Sequence, residues 1–61
     1  MISIREWRRL RDQAGILIYY KVEAVKRNPK LRKTAEEIYE QWRTGKITFK
    51  QALKELKKLA A

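Results

Sequence analysis

The residue types that most often carry catalysis and metal binding are missing from this sequence. Its 61 residues include no histidine and no cysteine. Zinc sites built from thiolates or imidazoles are therefore excluded, and a nucleophile cannot be activated by an adjacent imidazole. A reactive pair would have to come from lysine, aspartate and glutamate. We expect no enzymatic activity, no cofactor and no small-molecule substrate.

The only carboxylate cluster consists of Glu36, Glu37 and Glu40. Glu36 and Glu40 are four residues apart and would share a helix face, as two ligands of a hard cation could. However, Arg32 and Lys33 stand four residues before Glu36 and Glu37, which is the spacing of ion pairs along a helix. This pattern favours a solvated helix face, and we expect no metal site.

The net charge is the strongest functional signal. Sixteen Lys and Arg residues against seven Asp and Glu residues give a formal charge of +9. On a small domain such a charge produces a positive potential that attracts polyanions. Nucleic acid is the commonest such partner, followed by acidic membranes and acidic protein segments. The alternative is that the charge only keeps a small protein of thermophile-like composition soluble.

The cations of the first predicted helix form one candidate nucleic-acid surface. Arg8 can pair with Asp12, and Arg27 can pair with Glu23, each at a spacing of four residues. Arg5, Arg9 and Lys26 have no acid at that spacing and are expected to be free for phosphate contacts. The predicted surface consists of Arg5, Arg8, Arg9, Lys26 and Arg27.

Two adjacent tyrosines, Tyr19 and Tyr20, lie on the charged side of the same helix. Aromatic rings among cations suit base stacking combined with phosphate contacts. In the alternative interpretation, which we favour, Tyr20 and Ile16 pack into the core, because a helix flanked by two others is apolar over a wide arc.

A second candidate nucleic-acid surface is a row of lysines near the C-terminus: Lys50, Lys54, Lys57 and Lys58. The row could belong to a recognition helix of a helix-turn-helix arrangement. Base-specific contacts favour Arg, Asn and Gln, however, and this face offers only Gln51 besides its lysines. We therefore expect binding of DNA or RNA that is non-specific and strongly dependent on salt.

The first helix is predicted over about 4–27. Ser3 and Glu6 have the spacing of a capping box, and Ile2 and Trp7 that of a hydrophobic staple. Asn28-Pro29 ends the helix. Gly15 makes a flat spot where another helix could approach closely, or else a bend. The predicted apolar side consists of Ile4, Trp7, Leu10, Ala14, Leu17, Ile18, Val22 and Val25.

A helical hairpin is predicted to follow, with helices over about 29–43 and about 49–60. Asn28 and Pro29 suit the start of the second helix, and Thr34 offers a competing start. Gly45 ends it, and Thr48 with Gln51 caps the third. The apolar stripes are Leu31, Ala35, Ile38, Tyr39 and Trp42, and then Phe49, Ala52, Leu53, Leu56, Leu59 and Ala60.

These elements predict an all-α, three-helix bundle that forms a single domain over 1–61. In this bundle the first helix is longer than the helical hairpin that packs along it. At about 1.5 Å per residue it is about 36 Å long, against about 22 Å for the second. About nine residues would then extend beyond the hairpin. They need a second copy, another protein or a fold-back at Gly15 as cover. The predicted partner-binding residues are Ile4, Trp7, Leu10 and Arg11, as in an accessory or adaptor subunit of a DNA- or RNA-processing enzyme.

No apolar run approaches the roughly 20 residues that span a bilayer. Four arginines before Asp12 interrupt any signal-peptide layout. A basic amphipathic helix can lie on an acidic membrane, but the hairpin needs most of its apolar side. We expect an intracellular, cytoplasmic protein without a membrane partner.

Overall fold

The computed structural model describes residues 3–61 of the chain. They form three helices, α1 (Ile4–Arg27), α2 (Arg32–Arg43) and α3 (Phe49–Ala60), with a single 3₁₀ turn (Pro29–Leu31) before α2 and no strand in that range. The all-α three-helix prediction is confirmed, with the predicted bounds for α1 and α3, whereas the α-helix of α2 begins three residues later than predicted. The molecule measures 38 × 19 × 15 Å, and its long dimension is that of α1. None of the helices in this range is both long and apolar enough to cross a membrane.

The first helix begins as predicted and is continuous. The Ser3 hydroxyl oxygen accepts a hydrogen bond from the Glu6 backbone N–H at 3.2 Å, which satisfies one free donor of the first turn. The predicted staple involves Ile2, which lies outside the described residues. The helix runs through Gly15 to Arg27 without a break. The fold-back considered at Gly15 is therefore wrong.

The link between α1 and α2 is a compact turn. Asn28 has extended backbone dihedrals, and its side-chain oxygen accepts from the Lys30 backbone N–H at 3.1 Å. Pro29 occupies the first position of the 3₁₀ turn, where its missing N–H costs nothing. The α-helix then starts at Arg32, between the predicted start at Pro29 and the competing start at Thr34. The 3₁₀ turn already supplies helical backbone, and no second cap is needed.

The turn between α2 and α3 is closed by glycine. Gly45 has φ +81°, a left-handed conformation that other residues adopt only with strain. The Gly45 N–H donates to the Trp42 carbonyl at 3.0 Å, and the Lys46 N–H donates to the Gln41 carbonyl at 2.8 Å. This is the hydrogen-bond pattern of a Schellman motif. It ends α2 and sends the chain back along the bundle.

The third helix has a complete capping box. The Thr48 hydroxyl oxygen accepts from the Gln51 backbone N–H at 3.2 Å. In return the Gln51 side-chain oxygen accepts from the Thr48 backbone N–H at 3.1 Å. The predicted start of α3 is confirmed.

The core is small and lies where all three helices meet. Leu17 and Leu56 are the largest fully buried side chains of residues 3–61. Ala24, Ala35 and Ala52 are also buried, and their small side chains let the helices approach closely. The apolar stripes predicted for α2 and α3 are all buried or half-buried, which confirms them. The half-buried side chains packed against the core are Tyr20, Ile38, Tyr39, Trp42, Ile47, Phe49, Leu53 and Leu59.

The apolar side predicted for α1 is partly wrong. Ile18 and Val22, assigned to it, are nearly half exposed. Instead, α1 meets the hairpin through Leu17, Tyr20 and Ala24, which are spaced three and four residues apart. Tyr20 thus belongs to the core as expected, whereas Ile16, expected beside it, is 43% exposed. The hairpin therefore docks on the side of α1 that carries Leu17, Tyr20 and Ala24. The side that carries Ile18 and Val22 is also apolar, and it faces outward.

The hairpin covers only part of α1, as the predicted lengths required. Residues 4–12 are exposed without exception, and half-burial begins at Gln13 and Ala14. The bundle therefore has a packed end and an open end, and α1 alone forms the tip of the open one.

Candidate interaction surfaces

The five cations predicted on α1 are all exposed, but the helix separates them into two groups. Arg5, Arg8 and Arg9 lie in the uncovered part, and Lys26 and Arg27 lie in the last turn. Arg8 and Lys26 are eighteen residues apart, which is five full helical turns and about 27 Å. They point in the same direction from opposite ends of the helix. The structure therefore does not gather these residues into one site.

The predicted lysine row is present on α3. Lys50, Lys54, Lys57 and Lys58 are all exposed. With Leu53, the first three line a shallow depression of about 310 Å³. The Lys57 ammonium lies 5.6 Å from the centre of the Tyr20 ring, within the range of a cation–π contact. This contact brings the row next to the tyrosine pair of α1.

The two tyrosines have different surroundings. Their rings pack edge to face with centroids 5.2 Å apart. Tyr20 is half-buried against the core and is approached by Lys57. Tyr19 is 60% exposed. Of the two stacking candidates, Tyr19 has the accessible ring.

The ion pairs predicted on α1 are wrong. Within residues 3–61 the Arg8–Asp12 and Arg27–Glu23 pairs do not form; Lys26, expected to be free, lies 3.7 Å from Glu23. The pairs exposed on a helix surface contribute little free energy, so spacing alone does not select one partner.

In the acidic cluster of α2, too, the ion pair that forms is not one of those predicted. Glu40 accepts two hydrogen bonds from Arg43, at 3.0 and 3.2 Å, and this bonding raises the pKa of the Arg43 guanidinium. The pairs expected between Arg32 or Lys33 and Glu36 or Glu37 are absent from residues 3–61. No group of three or more acidic side chains in this range is placed to hold a metal ion.

The residues predicted to bind a partner lie at the open end of the bundle. Ile4 is 73% exposed and Trp7 is 55% exposed. The Arg11 guanidinium lies 5.6 Å from the centre of the Trp7 ring. Leu10 and Arg11 are exposed as well. The four residues therefore form one continuous surface.

A cleft beside these residues was not predicted from the sequence. It has a volume of about 400 Å³ and lies between α1 and the end of α2. We call it the N-terminal cleft. Tyr39 and Trp42 belong to the apolar stripe predicted for α2, and their rings, 5.7 Å apart, also form a wall of this cleft. It is lined by Trp7, Leu10, Arg11, Ala14, Tyr39, Trp42 and Arg43.

A second cleft of about 380 Å³ lies further along the junction of α1 and α2, and we call it the C-terminal cleft. It is lined by Lys21, Val22, Val25, Lys26, Arg32 and Glu36. The Lys21 ammonium, 5.4 Å from the centre of the Tyr39 ring, links the two clefts. A sequence signal for this arrangement exists, because Arg32, Glu36, Tyr39 and Arg43 are spaced four, three and four residues apart and so form one line along α2.

The geometry thus offers exposed cations at both ends of α1 and along α3, and an apolar surface between α1 and α2. In comparisons of the chain with protein-family models, curated proteins and solved structures, no match was found.

Proposed function

We propose that the protein binds nucleic acid, mainly through the backbone phosphates and with weak sequence specificity. The observation that carries the proposal is the lack of internal neutralisation. Of sixteen Lys and Arg residues, only Lys26 and Arg43 have a carboxylate oxygen within 4.0 Å in the described range of the chain. The other cations are available to replace the counterions of a phosphate backbone, and release of those counterions drives binding.

Two surfaces would share the phosphate contacts. One is the arginine cluster Arg5, Arg8 and Arg9 at the open end of α1. The other is the lysine row of α3, which lies beside Tyr20 and the more exposed Tyr19. Lysine is a compact point charge that binds phosphate without fixing an orientation, so the row suits backbone contacts better than base recognition.

Fluorescence anisotropy with a labelled DNA duplex and a labelled single strand tests the proposal. The affinity should fall steeply as salt rises from about 50 to 300 mM, with log affinity linear in log salt. No binding at the lowest salt concentration would contradict the proposal.

A pair of charge-matched variants tests the lysine row. Lys50→Gln, Lys54→Gln and Lys58→Gln together should reduce the salt slope by up to about 2.7, since each phosphate that a lysine neutralises adds about 0.9 to that slope. The control combines Lys30→Gln, Lys33→Gln and Lys46→Gln, which removes the same charge from exposed lysines outside the row. Equal reductions in the two variants would mean that only net charge matters and that the row is not a site.

The second candidate function is that of an accessory or adaptor subunit that docks on another protein through the N-terminal half of α1. Its support is the exposure of Ile4 and Trp7 at the open end. A large tryptophan beside an arginine is typical of the residues that dominate protein interfaces. The partner could be a second copy or an enzyme that acts on DNA or RNA. In either role the protein would work inside the cell.

Trp7→Ala separates this candidate from a purely structural role of Trp7. The variant should keep its helix content and its unfolding midpoint, because Trp7 lies outside the core. Light scattering should show that the variant no longer self-associates, if the parent protein does. A variant that unfolds as a clean monomer would show that Trp7 stabilises the fold rather than a complex.

A further inference from the structure

We propose that the junction of α1 and α2 binds an acidic amphipathic helix of another protein, which lies across both clefts. The proposal rests on the second candidate function, docking through α1, and it specifies the partner and the extent of the surface. The outer surface of the junction, from Trp7 to Val25 on α1 and from Arg32 to Arg43 on α2, is called the α1–α2 face below.

Both clefts of the α1–α2 face are lined by apolar and basic side chains, and the basic side chains of each cleft are called its basic rim below. In the N-terminal cleft Leu10 and Ala14 lie among three aromatic rings, and Arg11 and Arg43 are the charged residues. In the C-terminal cleft the apolar residues are Val22 and Val25. Its charged residues are Lys21, Lys26, Arg32 and the single acid Glu36. An occupant that fits both clefts must therefore present apolar side chains flanked by negative charge.

The surface between the clefts lets a helix approach closely. Arg11, Gly15, Ile18 and Val22 are spaced four, three and four residues apart and form one stripe along α1. A Cβ atom placed on Gly15 would meet nothing within 4 Å, so the backbone of α1 is open there. Ile18 is nearly half exposed and continues the apolar surface. The stripe suits helix-in-groove binding, in which apolar side chains recur every three or four residues.

The distance between the clefts sets the length of the occupant. Leu10 and Val22 are twelve residues apart in one continuous helix, which corresponds to about 18 Å. A partner helix that fills both clefts needs apolar residues near positions i, i+4, i+11 and i+15, hence at least four turns. Glutamate or aspartate on both sides of that stripe would face the basic rims.

Two other occupants fit the α1–α2 face less well. A second copy of this chain brings its own charge of +9 and would place basic rims against basic rims. Single-stranded nucleic acid stacks its bases on aromatic rings, which would use Trp7, Tyr39 and Trp42. It gains little from Ile18, Val22 and Val25. An acidic amphipathic helix accounts for the aromatic and the aliphatic parts of the face together.

The tryptophans provide a direct readout. The chain contains two, Trp7 and Trp42, and both line the N-terminal cleft. Titration with a designed Leu/Glu peptide of about 20 residues, with leucines at the positions given above, should shift their emission to shorter wavelength and saturate. A peptide of the same composition in scrambled order is the control. We expect the patterned peptide to bind at least about tenfold more tightly than the scrambled one.

Matched variants test the two clefts separately. Arg11→Glu should weaken peptide binding at least about tenfold, whereas Lys54→Glu, the same change of charge on α3, should alter it by less than about threefold. Val22→Glu should also weaken binding. Its control is Ile16→Glu, since Ile16 is equally exposed on α1 but lines neither cleft. Circular dichroism verifies that each variant remains helical. If Val22→Glu binds like its control, the occupant does not reach the C-terminal cleft and the proposal is wrong.

The remaining outcomes identify which proposal fails. Equal binding of the two peptides would reduce the effect to charge attraction and overturn the proposal. It is also overturned if light scattering shows that the chain dimerises and that Val22→Glu abolishes the dimer, since a second copy then occupies the face. Displacement of the peptide by a single-stranded oligonucleotide at equal concentration would assign the face to nucleic acid. Failure of nucleic-acid binding in the anisotropy experiment, in contrast, leaves the peptide result unaffected.

Discussion

The two halves of α1 have similar residue types but opposite surroundings. The first half, residues 4–12, contains Ile4, Trp7 and Leu10, and every residue in it is exposed. The second half, residues 13–27, lies against α2 and α3 and supplies Leu17 and Ala24 to the core. An apolar residue therefore stabilises this fold only where the hairpin reaches it. The same kind of residue beyond the hairpin remains available for binding.

Along α1, the residues that stabilise the fold are therefore separate from the residues that remain available for binding. Residues that contribute to the core should dominate the free energy of unfolding, since few large side chains are fully buried. Residues of the uncovered half should contribute little to that free energy. Substitutions of the same type in the two halves can therefore test the division directly.

The largest difference is expected between two leucines of α1. Leu17→Ala removes one of the largest fully buried side chains and should cost about 3 to 5 kcal/mol. That is much of the total for a domain whose stability is about 0.05–0.15 kcal/mol per residue. Leu10→Ala, at an exposed position, should cost less than about 1 kcal/mol. Urea denaturation followed by circular dichroism measures both. Similar destabilisation by the two substitutions would mean that the open end is part of the cooperative core.

The next effect concerns the turn that returns α3 to the packed half of α1. Gly45→Ala places a Cβ at φ +81° and should destabilise the fold by about 1–2 kcal/mol. The cost is confined to the local backbone, because beyond the two adjacent residues nothing lies within 4 Å of the added atom. Asparagine tolerates this conformation better, so Gly45→Asn should recover part of the stability. Thermal unfolding of the parent and both variants measures their relative stability. An alanine variant as stable as the parent would show that the turn does not need a left-handed residue.

Local signals in the sequence predicted the helix boundaries well. The Ser3 cap, the Thr48–Gln51 box and the Gly45 turn each depend on a few neighbouring residues, and all three occur in the structure. Such hydrogen bonds form within one turn of the chain, so they do not depend on how the helices pack.

The packing direction of α1 could not be predicted in the same way. Its apolar residues occupy a wide arc, and helical periodicity does not say which part of that arc the hairpin covers. Leu17 and Ala24 are buried while Ile18 and Val22 are nearly half exposed, a choice that depends on where the hairpin docks and not on the periodicity of α1. The N-terminal cleft was missed for a related reason, because the half-buried Trp42 serves the core and the surface at once.

A smaller effect is expected from the two hydroxyl caps. Thr48→Ala breaks both hydrogen bonds of the capping box on α3, which is packed along its length, and should cost about 1 kcal/mol. Ser3→Ala removes the cap of the uncovered half, where the first turns can fray without disturbing the core. It should lower the helix signal while changing the free energy of unfolding by less than about 0.5 kcal/mol. Equal destabilisation in urea denaturation would contradict the division of α1 into two halves.

The only stabilising effect is expected at Gly15, close to the boundary of the two halves. Gly15→Ala should raise the free energy of unfolding by about 0.4–1 kcal/mol, because alanine restricts the unfolded chain and its Cβ meets no atom within 4 Å. The same methyl group should weaken binding of the patterned peptide, since it occupies the open strip between the two clefts. In this one variant, denaturation should therefore show a higher free energy of unfolding, and tryptophan titration should show a lower affinity for the peptide. A decrease in stability would show that the backbone around Gly15 is not a regular helix, and unchanged peptide affinity would show that the partner does not approach α1 there.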